Sequence, residues 1–454
     1  MKPPVMEGEN VVINIDSVSH QGWGVGRYQG LTVFVPQCLP DEKVKVKILK
    51  VKKSFALADL VEIIAPSLKR ISPKCAVYDS CGGCQIQHAQ YEHQLEIKFN
   101  LIHQSLTRIG KLQDFVIHPV LGMDNPWSYR NRAQFHIQVV GNDIKLGFYR
   151  PGTHLLVPVE DCSLLPELFN NIIKHLKNQL LKLMSQDNEA DLTGLHHIVL
   201  KSSRVNGEAM VIFVTERSKF PELDKIAISL SRVFYQITSV IQNINSRKSG
   251  FIFGPKWKLI WGKKHLKEQI DDLVFSIGPG SFVQVNTVQT EVLYQKVLEY
   301  ANLQGNEEVI DVYCGIGTIS LLLAKRCRQV YGIEEVKEAV NDARYNSRLN
   351  RIKNAKFLAG KAEQILPQMM ASGVKPDLIV VDPPRKGCDS RVLDAIVGMN
   401  PPRIIYVSCD PGNLARDLKI LDEKGYKTVE VQPVDMFPHT SHVETVVLMS
   451  RVNK

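Results

Sequence analysis

From about residue 285 onward, short apolar runs alternate with helical stretches, and this alternation constrains the fold more than any other feature. Such alternation is typical of a doubly wound, mainly parallel α/β sheet. In sheets of this kind, ligands bind where the strands end. The sequence therefore predicts a Rossmann-like α/β domain over residues 281–454, with strands near residues 307–313, 329–334, 356–360, 378–382, 403–408, 428–432 and 445–450.

A glycine-containing turn, DVYCGIG, follows the first of these strands at residues 311–317. Glycine lets a ligand approach the backbone closely. Glu334 ends the next predicted strand, at a spacing that suits hydrogen bonds to ribose hydroxyls. The pair resembles the S-adenosylmethionine site of Rossmann-like methyltransferases. The three-glycine dinucleotide fingerprint is absent, which argues against a dehydrogenase.

A stiff loop, DPPRKG, ends another predicted strand at residues 382–387. Two prolines restrict its backbone, and Asp382 can accept hydrogen bonds from the edge of a substrate. The bland interpretation is a structural turn. A DPP or NPP loop also occurs in amino-methylating enzymes, usually followed by an aromatic residue that stacks on the base. Arg385 stands there instead, so the chain departs from that pattern.

Two further segments carry candidate catalytic groups. Cys409 lies in SCDP, residues 408–411, where a predicted strand ends. A structural cysteine is usually inert, but beside these motifs Cys409 is a candidate nucleophile. Glu444 closes the segment DMFPHTSHVE and is a candidate general base, although an isolated glutamate is more often solvated. His439 and His442 in the same segment suit structural or substrate-contact roles better than metal ligation.

The N-terminal part, residues 1–66, has the pattern of a small β module. Residues 43–48, KVKVKI, alternate strictly, which turns the valines inward and the lysines outward. Several short strands in a basic module favour an OB-like barrel, a common nucleic-acid platform. The net charge of +9 and a cluster of lysines suggest a polyanionic partner; the cluster comprises Lys43, Lys45, Lys47, Lys50, Lys52 and Lys53.

Residues 67–280 are predicted to be mainly β, with helices over 91–110 and 166–184. Residues 132–139 alternate between an apolar and a polar face, and the polar face is either a nucleic-acid surface or a solvated one. Cys75, Cys81 and Cys84 form a C-x5-C-x2-C cluster that demands a fourth ligand. Their spacing alone permits zinc or an iron–sulfur cluster.

The chain has no apolar run long enough for a transmembrane helix and its first residues lack the apolar core of a signal peptide. A cytoplasmic protein without membrane contact is expected. In that compartment, the nine cysteines argue for metal binding or catalysis over disulfides.

Taken together, DPPRKG, SCDP and HTSHVE resemble the RNA uracil-5-methyltransferases, in particular the bacterial 23S ribosomal RNA type. The resemblance spans nearly the whole chain. It implies an N-terminal TRAM domain over residues 1–66, a central RNA-binding β domain over 67–280 and a methyltransferase domain over 281–454. It also implies that the helix over 91–110 packs on the catalytic domain.

The resemblance assigns roles to particular residues. Cys409 becomes the nucleophile that adds to uracil C6, and Glu444 becomes the base that removes the C5 proton. S-adenosylmethionine is expected at Gln284, Tyr313, Glu334 and Asp382. A [4Fe–4S] cluster, with zinc as the less favoured metal, is expected at Cys75, Cys81, Cys84 and Cys162.

Alternatives stay open at this point. The substrate is expected to be 23S ribosomal RNA, modified at one or two sites, with tRNA as the alternative. An amino-methyltransferase acting on adenine or cytosine is disfavoured by Arg385 and by the pairing of Cys409 with Glu444. A non-catalytic RNA-binding or ribosome-assembly protein has no need of an intact nucleophile. A monomer is expected.

Overall fold

The computed structural model describes residues 3–141, 143–186, 192–246 and 251–452. Its first unit is a closed barrel with the strand order β1-β2-β3-β5-β4. Alternate side chains of each strand fill its interior, among them Val44 and Val46. The predicted OB-like barrel is therefore confirmed. Its strands are β1 (Asn10–Val18), β2 (Gly24–Tyr28), β3 (Leu31–Val35), β4 (Lys43–Val51) and β5 (Phe55–Ala65).

The outward lysines of β4 do not form a purely cationic row. Lys45 lies opposite Glu62 of β5, and Lys47 lies opposite Asp59. Cross-strand neighbours of opposite charge attract each other. The barrel surface is thus partly neutralised, and its cationic character is weaker than the sequence of β4 alone indicates.

The segment after the cysteine loop belongs to the catalytic domain in space. It forms α1 (Tyr91–Gln104), a π-helical turn (Ser105–Ile109) and β6 (Val116–Ile117). Ile102 and Leu106 are fully buried in the catalytic core. The fully buried ammonium of Lys98 pairs with the fully buried carboxylate of Asp435, and the Tyr91 hydroxyl donates to that carboxylate at 2.8 Å. A buried ion pair that would be costly alone is thus satisfied by partners on both segments.

The central unit is a seven-stranded sheet with the order β13-β12-β11-β10-β7-β8-β9. Two helices cover one of its faces and complete its apolar core. Its elements are β7 (Arg132–Val140), β8 (Asp143–Tyr149), β9 (Leu156–Pro158), α2 (Glu167–Gln186), β10 (Leu195–Ser202), β11 (Ala209–Thr215), α3 (Glu222–Val233), β12 (Ile237–Ile244) and β13 (Lys256–Gly262), followed by the hairpin β14 (Leu266–Ile270) and β15 (Leu273–Ile277).

The catalytic unit is an eight-stranded sheet with the order β18-β17-β16-β19-β20-β22-β21-β6. Strands β16 to β20 pair in parallel, and β22 runs antiparallel between β20 and β21. This arrangement confirms the predicted doubly wound sheet. Its elements are α4 (Thr287–Ala301), β16 (Glu308–Val312), α5 (Thr318–Ala324), β17 (Gln329–Glu334), α6 (Lys337–Leu349), β18 (Ala355–Ala359), α7 (Ala362–Ala371), β19 (Leu378–Val381), α8 (Ser390–Met399), β20 (Arg403–Ser408), α9 (Pro411–Glu423), β21 (Tyr426–Val434) and β22 (Glu444–Arg451).

The three units meet at the segment before β22. The backbone N–H groups of Gln85 and Ile86, in the cysteine loop, both donate to the carbonyl oxygen of His439 at 3.2 Å. From the barrel side, the carbonyl oxygen of His20 accepts a 2.8 Å hydrogen bond from the Ser441 hydroxyl. Among the described residues, no helix has the length and apolarity needed to cross a bilayer.

Candidate active site

A pocket of about 600 Å³ opens where the parallel strands of the catalytic sheet end. The ends of β16, β17, β19 and β20 and the start of β22 each supply a side chain to it. All six residues that the sequence nominated for the cofactor and the chemistry line this one pocket: Gln284, Tyr313, Glu334, Asp382, Cys409 and Glu444. Residues from distant parts of the sequence are thus assembled by the sheet topology into a single site.

The glycine turn after β16 forms one wall of the pocket. Tyr313 and Gly317 adopt left-handed backbone conformations, with φ of 68° and 84°, and Gly317 begins α5. Glu334 holds this wall through its carboxylate, which accepts hydrogen bonds from the N–H of Gly315 at 3.1 Å and of Val336 at 2.8 Å. A carboxylate fixed at the end of the second strand is placed to receive ribose hydroxyls.

Cys409 lies half-buried directly after β20, one residue before the cap of α9. Asp410 accepts the N–H of Asn413 at 2.8 Å and so begins that helix. Burial, with smaller contributions from the carboxyl groups of Glu444 and Asp382, raises the pKa of the Cys409 thiol to about 12, although the charge of Arg385 lowers it. The thiol therefore carries its proton in the free protein, and its activation depends on what enters the pocket.

Glu444 is 3% exposed at the first position of β22. Burial, with a smaller contribution from Asp382, raises the pKa of Glu444 to about 8. Burial likewise raises the pKa of Asp382 to about 7. Two carboxyl groups that titrate near neutral pH beside a cysteine are suited to proton transfer.

The pocket contains side chains that the sequence did not single out. Phe282, 66% exposed, stands at its rim, two residues before Gln284. Lys361 and Phe437 also line it, and the local sequence gives no signal for either.

His442 lines the same pocket, and burial lowers its pKa to about 4, so the imidazole is neutral. Its position agrees with a substrate contact.

A second cavity, of about 640 Å³, lies between the cysteine loop and the central sheet. Cys75, Cys81, Cys84 and Cys162 all line it, so the fold brings the upstream cluster to the expected fourth cysteine. Within the described ranges, no three His, Cys, Asp or Glu side chains converge closely enough to hold a single metal ion. The four thiols thus line one cavity, but among the described residues they do not form a preformed metal site.

Two N–H donors and one cation lie near these buried thiols. The N–H of Gly83 donates to Cys81 Sγ at 3.4 Å, and Gln87 Nε2 donates to Cys84 Sγ at 3.7 Å. Burial, with a smaller contribution from the proximity of Cys162, raises the pKa of Cys84 to about 12, although the guanidinium of Arg130 lowers it. The Nε of Arg130 is buried and has no hydrogen-bond partner among the described residues.

The doubly wound sheet, its glycine turn and the acidic residue that ends β17 define a class I, S-adenosylmethionine-dependent methyltransferase. Comparison with known proteins agrees and narrows the class. The model of the tRNA (Uracil-5-)-methyltransferase family matches residues 90–452, and that of the TRAM domain matches residues 4–61. The chain belongs to the tRNA (Uracil-5-)-methyltransferase family and carries an N-terminal TRAM domain. It is an RNA methyltransferase, and the activity of its family is methylation of uracil at C5.

Relatives and a solved structure extend over the same length. An RNA methyltransferase of Bacillus cereus is 45% identical over 456 residues, covering 100% of this chain and 99% of the relative. One of Caldanaerobacter subterraneus is 45% identical, covering 98% and 99%. The crystal structure of the Pyrococcus abyssi tRNA (uracil-54, C5)-methyltransferase with S-adenosyl-L-homocysteine aligns with a TM-score of 0.75 and 27% identity, covering 97% of this chain and all of that one.

Proposed function

We propose that this protein methylates C5 of a uridine in 23S ribosomal RNA, at one or two sites, with Cys409 as nucleophile and Glu444 as base. The observation that carries the proposal is that both side chains line the same pocket as the four candidate cofactor residues. Methyl transfer to an amino group requires neither a thiol nor a base of this kind, because the nitrogen lone pair attacks directly.

The reaction needs both groups for a chemical reason. Uracil C5 is a weak nucleophile until the Cys409 sulfur bonds to C6 and the ring becomes an enolate, with the thiol proton leaving to solvent at the mouth of the pocket. S-adenosylmethionine supplies a sulfonium methyl group, which C5 takes as the methyl–sulfur bond breaks. Glu444 then removes the C5 proton, and the electron pair expels the Cys409 sulfur from C6.

Cofactor binding is proposed for Gln284, Tyr313, Glu334 and Asp382. The fixed Glu334 carboxylate suits the ribose, and Asp382 adds a second carboxyl group to the same pocket, which would suit the positive sulfonium. A uridine within folded RNA has to leave its stack to reach a half-buried thiol. Phe282, an exposed aromatic side chain that lines the pocket, suits contact with an extruded base.

The favoured substrate is 23S ribosomal RNA, because the family resemblance associates the TRAM domain and cysteine cluster with that type. A specific observation supports tRNA as the second candidate. The Pyrococcus abyssi protein, which is named for a tRNA uridine, aligns over 97% of this chain. The proposed setting is the cytoplasm, and the proposed working form is a monomer.

The four cysteines are proposed to hold a [4Fe–4S] cluster. The fit rests on the chemistry of the donors: four thiols share one cavity, two of them accept N–H donors, and the Arg130 cation lies near them. Hydrogen bonds to the sulfurs and nearby charge are the usual means of stabilising such clusters. Zinc is the less favoured metal, because the family resemblance associates these four cysteines with a [4Fe–4S] cluster. The proposed role is structural, since methyl transfer moves no net electrons.

The test is anaerobic incubation of the protein with S-adenosylmethionine and RNA lacking 5-methyluridine, followed by mass spectrometry of nuclease fragments. Expected products are one or two 5-methyluridines in 23S RNA, and none with the Cys409→Ala variant. Product in tRNA alone would show that tRNA, and not 23S RNA, is the substrate. Methylated adenine or cytidine would refute the role of Cys409. Iron, sulfide and zinc analysis of the same sample tests the cluster.

A further inference from the structure

The loop that follows β19 is held by the helix that follows the nucleophile. Asn413 Nδ2 donates to the carbonyl oxygen of Arg385 at 2.8 Å. Arg416 Nη2 donates to the carbonyl oxygen of Lys386 at 3.0 Å. In return, the carboxylate of Asp417 accepts the N–H of Cys388 at 2.8 Å. Successive peptide groups of the loop are therefore bound by side chains of α9.

Asp417 is the centre of this arrangement. Its carboxylate is fully buried and accepts three kinds of donor: the Cys388 N–H, the Tyr406 hydroxyl at 2.6 Å and the Arg416 guanidinium at 2.8 Å. A buried carboxylate is stable only with such complete pairing. Because Tyr406 belongs to β20, the carboxylate joins the loop, the helix and the strand that leads to Cys409.

The close fit leaves no room for adjustment at Gly387. This glycine has a φ of +77°, and a Cβ there would lie 2.5 Å from Arg416 Nη2 and 2.6 Å from Asp417 Oδ2. Only glycine therefore lets the loop backbone approach both side chains. The loop and the first turns of α9 are therefore joined by hydrogen bonds and by close packing at Gly387.

We propose that Asn413, Arg416 and Asp417 are positioning residues that fix Arg385 against the reacting groups. This inference rests on the proposed function. Arg385 lines the active pocket, and its charge lowers the pKa values of Cys409 and Glu444, opposing their burial. Asp382 has a separate anchor, because its N–H donates to the carbonyl oxygen of Val312 at 3.3 Å. Loss of the hydrogen bonds from Asn413, Arg416 and Asp417 thus displaces Arg385 more than it displaces Asp382 and the neighbouring cofactor residues.

The first experiment replaces Arg416, which is 46% exposed in its side chain and whose removal leaves Asp417 two donors, the Cys388 N–H and the Tyr406 hydroxyl. RNA containing 5-fluorouridine traps the Cys409 adduct, because its C5 carries fluorine in place of the proton that the base has to remove. Arg416→Gln is expected to slow adduct formation about 10- to 100-fold, the effect of a small misplacement of reacting groups. Affinity for S-adenosylmethionine, measured by calorimetry, is expected to change less than about threefold.

A pH series separates positioning from general damage. With Arg385 displaced, the pKa values of Cys409 and Glu444 rise, so the ascending limb of the rate profile moves to higher pH. Arg416→Lys keeps the charge beside Asp417 but not the planar fork, and it is expected to recover part of the rate. Asn413→Ala is expected to shift the profile in the same direction.

The matched control is Arg328→Gln. Arg328 also pairs with a carboxylate, Glu308 at 3.0 Å, and donates to a backbone carbonyl, Asn306 at 3.2 Å, but at the opposite end of the sheet. Its adduct rate is expected to match that of the wild type. An unchanged rate for Arg416→Gln, or a rate lowered by one factor at every pH together with weaker cofactor binding, overturns the proposal. Failure of the wild type to form any adduct refutes the proposed function instead.

Discussion

Replacing Glu444 by glutamine tests the proposed base directly. Glutamine keeps the shape of the side chain but cannot accept the C5 proton. Since a positioned base contributes about 10²- to 10⁴-fold, the variant should lose turnover by that order. Adduct formation should survive, because it needs only Cys409 and the methyl donor, so a covalent RNA–protein complex should accumulate.

The raised pKa of Glu444 also predicts how this loss of turnover depends on pH. Burial and Asp382 raise the pKa of Glu444 to about 8, so the carboxylate form grows from about a tenth at pH 7 to about nine-tenths at pH 9. Only the ionised form accepts a proton. The wild-type turnover should therefore exceed that of the glutamine variant by a ratio that grows about tenfold over this range.

The assay is single-turnover methyl transfer with radiolabelled S-adenosylmethionine, run beside gel detection of the covalent complex. Because the Glu444 carboxyl group itself raises the pKa of Cys409, the pH dependence of adduct formation is measured in each protein with 5-fluorouridine RNA and divided out of the ratio. A ratio that stays constant from pH 7 to pH 9 would show that Glu444 does not titrate as the base. A variant that forms no complex would place Glu444 before the methyl-transfer step and refute the proposed order.

Three further predictions concern the cofactor, the core and the cysteine cavity. Glu334→Ala should weaken S-adenosylmethionine binding about tenfold in calorimetry, because the loss of ribose hydrogen bonds costs about 1–2 kcal/mol. Lys98→Met should lower the free energy of unfolding in urea by about 3–5 kcal/mol, because the buried Asp435 carboxylate loses its charged partner. The control Lys424→Met breaks an exposed pair with Asp394 and should change the free energy of unfolding by less than about 1 kcal/mol. Cys84→Ser should lower the iron content and the thermal midpoint while leaving the affinity for S-adenosylmethionine unchanged.

The sequence predicts this architecture well where the signal is local. The motifs at strand ends, together with the family resemblance that they carry, were enough to name six residues that share one pocket. What the sequence did not show depends on long-range pairing. β6 is only two residues long, and its parallel pairing with β21 joins segments some 300 positions apart. Lys98 lies on an amphipathic helix and would be assigned to its solvent face, yet it is fully buried.

The sequence did not reveal, for a related reason, the side chains that hold the proline-containing loop. The pattern after Cys409 is typical of an ordinary solvated helix, which contains Asn413, Arg416 and Asp417. Their function depends on carbonyl groups that lie about thirty residues upstream, and backbone acceptors leave no trace in side-chain patterns. The pairing of a half-exposed arginine with a buried aspartate becomes informative only when the groups around it are known.

The contribution of α1 and β6 to the catalytic sheet bears on which fragments of this chain can exist alone. A fragment cut at residue 281 would uncover the edge of β21, which pairs with β6 at Glu430 and Val431. It would also leave the buried Asp435 carboxylate without Lys98 and Tyr91. An open strand edge beside a stranded charge favours aggregation over folding. The methyltransferase unit is thus discontinuous, and expressing it in isolation requires the segment from residue 90 to be fused ahead of it.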